Sequence, residues 1–91
     1  MSAEMRKFTA VVTDIHEQSR VGGRQLWQVA LSNTRFAAGD EGTLEAVARS
    51  GVRLVVPVLG VEVDTEGEVW HLVEKPLTAG TEVAGRVGGS V

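Results

Sequence analysis

The 91-residue sequence has no cysteine and no tyrosine, two prolines, and only four aromatic residues: Phe8, Trp27, Phe36 and Trp70. Without cysteine, neither a disulfide framework nor a thiolate metal site can form, so the chain must rely on its apolar core. A reducing, cytoplasmic setting suits such a composition. No uncharged apolar run approaches the ~20 residues that span a bilayer, and the opening MSAEMRKF lacks the apolar stretch of a secretory leader. The two histidines, His16 and His71, lie far apart in sequence, and the acidic residues do not follow the spacing of a calcium-binding loop. No catalytic motif, metal or cofactor is expected.

What is abundant is β-branched. Sixteen valines, one isoleucine and seven threonines make up about a quarter of the chain, beside 11 glycines. That composition favours extended structure and excludes an all-helical bundle. At 43% hydrophobic and 23% charged the sequence is neither disordered nor of low complexity. Its length suits one domain over 1–91 and leaves little core to spare, which makes association with further copies an expectation. The net charge of −3 is uneven. Residues 1–53 carry seven basic and six acidic side chains, whereas residues 54–91 carry two basic and six acidic ones, most of the latter between 62 and 74. Such a balance disfavours duplex nucleic acid as a partner.

Along the chain, 7–16 and 24–31 read as two strands. In the second, Trp27, Val29 and Leu31 alternate with Gln28, and Gly22-Gly23 supplies the reversal between the two strands. Residues 32–42 are turn-rich, with Phe36 placed to tuck a ring into the core. Residues 43–50 are ambiguous. Leu44, Val47 and Ala48 follow helical spacing between a cap at Asp40 or Thr43 and a stop at Gly51, which favours a short helix. The rival is a strand that turns at Arg49-Ser50-Gly51.

The clearest pattern is 58–75. Asp64-Thr65-Glu66-Gly67 suits a type I turn followed by a left-handed glycine, which pairs Val63 with Val69, Glu62 with Trp70, Val61 with His71, and Leu59 with Val73. The core face is then Leu59, Val61, Val63, Val69, His71 and Val73, with His71 a buried imidazole bonded to backbone. The other face carries Glu62, Glu68, Trp70 and Leu72. An indole and a leucine among carboxylates call for cover by another layer of the chain or by another molecule. Pro57 requires a bend, a bulge or pairing on one side only. A last strand falls at 81–87. The fold expected is mainly β: a small closed or strongly curved antiparallel barrel of about six strands, with one short helix at 43–50.

Two resemblances are visible. The ending LTAGTEVAGRVGGSV resembles the last strand and Gly-Gly tail of small ubiquitin-like sulfur carriers, which implies action through Gly88 and Gly89 after Ser90 and Val91 are trimmed. The order of strands resembles that of oligonucleotide-binding barrels, which implies single-strand binding through Trp27, Arg6, Arg24 and Arg53. The residues themselves favour a non-enzymatic, self-assembling or protein-binding module whose surface is Trp70 and Leu72 with Glu62 and Glu68. No membrane partner is expected.

Overall fold

A computed structural model describes residues 6–21, 23–47 and 50–88. They form seven strands: β1 (Arg6–Val21), β2 (Arg24–Leu31), β3 (Gly42–Val47), β4 (Arg53–Val58), β5 (Gly60–Val63), β6 (Val69–Val73) and β7 (Glu82–Val87). All belong to one antiparallel sheet in the order β4-β3-β7-β1-β2-β6-β5. The described residues contain no helix.

Strand β1 is the pivot. Its first part, Arg6 to Val11, pairs with β7, and the part from Val12 onward pairs with β2. The ladder shifts between Val12 and Asp14, as a bulge does, and the shift changes which alternate residues face inward. Before it, Ala10 and Val12 are buried; after it, Ile15 packs on the core. The turn before β7 closes on the same point, since Val12 N–H donates to Thr81 O at 2.8 Å and Gly80 N–H donates to Val12 O at 2.7 Å.

The second bent segment is 53–63. β4 forms one margin of the sheet and β5 the other, yet only Leu59 separates them, and its N–H donates to Leu72 O at 2.8 Å. The sheet must therefore curl until its two margins meet at that corner, although no ladder joins β4 to β5 and the barrel is not closed by hydrogen bonds. Pro57 lies in β4 and pairs on one side only, opposite Thr43. The radius of gyration is 12.8 Å, against about 12 Å for a compact chain of this length.

Inside the curl, Val12, Val29, Leu44, Val56, Val73 and His71 are fully buried, and Phe36 reaches in from the β2–β3 connection. Phe8 lies edge-on to Phe36 at 5.8 Å between ring centroids. Two glycines make room. A Cβ on Gly85 would strike the Phe8 ring, and one on Gly42 would strike the Arg86 carbonyl.

The expected helix at 43–50 is corrected to strand β3 over 42–47; residues 48 and 49 lie outside the described residues. Leu44 and Ala46 are buried while Val47 is exposed, a period of two. β3 is held on both sides, by β4 and by β7, and those long-range ladders outweigh a helical pattern only ten residues long. The strand count rises from about six to seven.

The 58–75 hairpin has the expected register from Val63–Val69 through Val61–His71, but the ladder ends at Gly60–Leu72 and Leu59 does not pair with Val73. Its core face is also shorter than expected. Val61, His71 and Val73 are buried, whereas Val63 at 48% and Leu59 at 40% exposure lie at the margin, beyond the layer that covers the centre.

Candidate binding surface

The tip of the β5–β6 hairpin is organised by Asp64. Gly67 takes a φ of 85°, Gly67 N–H donates to Asp64 O at 3.1 Å, and Asp64 N–H donates to Glu68 O at 3.0 Å. One carboxylate oxygen of Asp64 accepts the N–H groups of Glu66 and Glu68, both at 2.9 Å, while the other accepts the Trp70 indole N–H at 3.0 Å. The indole bond above all, with the backbone donors behind it, favours the ionised form and lowers the Asp64 pKa below its ordinary value. The same residue that makes the turn therefore aims the tryptophan.

Trp70 is half-buried. The His16 ring from β1 meets it edge-on at 4.7 Å, and His16 Nε2 lies 3.2 Å from Asp14. A side chain of β1 thus gives the indole cover from within the chain. In the ladders His16 faces Gln28, Gln28 faces Leu72, and Leu72 faces Gly60, so these four form one row across the outer surface. Gly60 has nothing within 4 Å of a notional Cβ, which leaves the flank of half-buried Leu72 open. Glu62 lies opposite Trp70 and accepts the Gln28 amide at 3.0 Å; Glu68 is exposed. A shallow cleft of about 510 Å³ runs past Gln28, Glu62, Asp64 and Trp70. The four residues singled out in the sequence are therefore brought onto one hairpin, and His16 and Gln28 complete the surface. No local pattern signals either addition, because β1 and β2 reach it only through long-range pairing.

His71 is on the other side of the same hairpin, with no exposed surface. Its Nδ1 lies 2.8 Å from Val29 O, so this nitrogen carries the proton, and its Nε2 accepts the Thr34 hydroxyl at 2.8 Å. Thr34 Oγ1 in turn accepts Phe36 N–H at 3.0 Å. Burial is the main influence on this imidazole and lowers its pKa. Both ring nitrogens are used to fasten the β2–β3 connection to the core, an arrangement with no open position for a ligand.

Of the residues of the nucleic-acid resemblance, Trp27 packs against the core, and Arg53 pairs with Glu45 at 3.7 Å. Arg6 and Arg24 are placed at the starts of β1 and β2. The helix that the ubiquitin-like order requires is missing from the described residues. Gly88 has a φ of 80° and its N–H donates to Glu41 O at 2.7 Å, while Gly89, Ser90 and Val91 lie outside the described residues.

A second surface was not legible while 43–50 read as a helix. The outward rows of β4, β3, β7 and β1 are Lys7–Arg86–Thr43–Pro57, then Thr9–Ala84–Glu45–Val55. They floor a cleft of about 520 Å³.

The chain matches no known protein family, no curated protein and no solved structure. Among the described residues no three histidine or acidic side chains converge as metal ligands, and no helix is long and apolar enough to cross a membrane.

Proposed function

We propose that this chain is a non-enzymatic, cytoplasmic protein-binding module that acts through the outer face of the β5–β6 hairpin. The carrying observation is the fixed indole. Trp70 is held by Asp64 and by the His16 ring before any partner arrives, yet part of it remains at the surface beside Leu72. An aromatic anchor whose orientation is already set loses little freedom on binding, which is the property that concentrates binding energy in a few residues. Around it lie Glu62, Asp64 and Glu68, so the complementary surface carries basic groups.

The test is to compare Trp70→Ala and Leu72→Lys with the parent chain by circular dichroism and by molar mass in solution. Both variants should keep the β spectrum and lose association or partner capture. If Trp70→Ala instead loses its cooperative melting transition while Leu72→Lys associates normally, Trp70 is a structural residue and the reading fails.

A further inference from the structure

Among the described residues, two groups of charges have no side-chain hydrogen bond or ion pair, and they have opposite signs. Lys7 and Arg86 are directly opposite each other on β1 and β7, a like-charge pairing that costs stability unless a counter-charge meets it. Glu45, the nearest acid in the cleft they border, has its charge met by Arg53 at 3.7 Å. In the next row Val55, 54% exposed, lies on β4, with Glu45 of β3 between it and Ala84 of β7.

The β5–β6 hairpin carries the reciprocal set. Asp64 is committed to the turn and to Trp70, and Glu62 to Gln28, but Glu66 and Glu68 are exposed at the tip with no hydrogen-bond or ion-pair partner for their carboxylates among the described residues. One end of the molecule thus presents two carboxylates, and the cleft presents two cations.

We propose that the occupant of the Lys7–Arg86 cleft is the acidic hairpin tip of a second copy of this chain. This rests on the hairpin being the binding element, as proposed above, and names both its partner and the receiving surface. Each chain then offers one tip and one cleft. The contact is head-to-tail, so it closes into a ring or runs on as an open chain of subunits.

Sedimentation equilibrium over a range of protein concentrations at low and high salt tests it. The parent chain should exceed its 9.7 kDa monomer mass at low salt and return to it as salt rises. The pair K7Q/R86Q, and separately E66Q/E68Q, should each weaken association about tenfold or more while leaving the β spectrum intact. Mixed in equal amounts, the two should form a complex of two chains and no larger, because one retains a tip and the other a cleft. A parent chain that stays monomeric at every concentration and salt overturns the proposal, as does K7Q/R86Q that associates like the parent. In the latter case, loss of association in Trp70→Ala would leave the hairpin reading standing and remove only the cleft; no loss there would remove both.

Discussion

At His71 a buried imidazole is used as a two-ended fastener, and its protonation state sets a pH limit on the fold. Burial keeps the folded imidazole neutral to a lower pH than its ordinary value of 6.5, so the unfolded chain binds the proton first. The stabilisation is complete above about pH 6.5 and is lost as pH falls below it. Urea midpoints measured at pH 7.5 and at pH 5 should therefore drop, and His71→Phe should reduce that drop. Replacing Thr34 by valine removes the hydroxyl that accepts from Phe36 N–H and donates to Nε2. With two buried groups left unsatisfied, a loss of about 1–3 kcal/mol is expected in chemical denaturation. Asp64 works in a separate, more acidic window. Its lowered pKa contributes stability above about 3.8, lost as pH falls through the still lower folded value. Asp64→Asn keeps the size of the side chain but cannot present two acceptor oxygens. Trp70 should then lose its fixed position, seen as a red-shifted, more quenchable fluorescence emission.

Among the elements, β5 and β6 were legible in the sequence and β3 was not. In 58–75 the turn residues set the register locally, and alternating valines and acids then assign the faces. The inward face of β6, the bonded His71 and the outward pair Trp70 and Leu72 all follow from that one turn. β3 has no turn of comparable strength before it, and its pairing with β7 involves residues near the opposite end of the chain. A ten-residue window therefore shows only Leu44, Val47 and Ala48 at helical spacing, with nothing to report that Ala46 meets Val83 and Leu54. The basic cleft was hidden for the same reason, since Thr43 and Glu45 line it only as strand residues. Glycine replacements should separate tight from open positions in these elements. Gly42→Ala and Gly85→Ala, which press on backbone and on the Phe8 ring, should each cost more than about 2 kcal/mol. Gly60→Ala, facing open space, should change the urea midpoint far less.

For the whole molecule, the ladders hold together segments that synthesis separates. β7 fills the space between β3 and β1 and supplies Val83 and Val87 to the core, so a chain ending before Glu82 should show no cooperative melting transition and a collapsed β spectrum. The seventh strand in chain order is also one of the interior strands of the sheet. A ribosome that has reached Leu77 holds β1 without its neighbour along Arg6–Val11 and β3 without its neighbour on one side. Until β7 is made, the backbone edges of β1 and β3 that it will fill have no ladder partner, and in that interval the nascent protein is exposed to wrong pairing and aggregation.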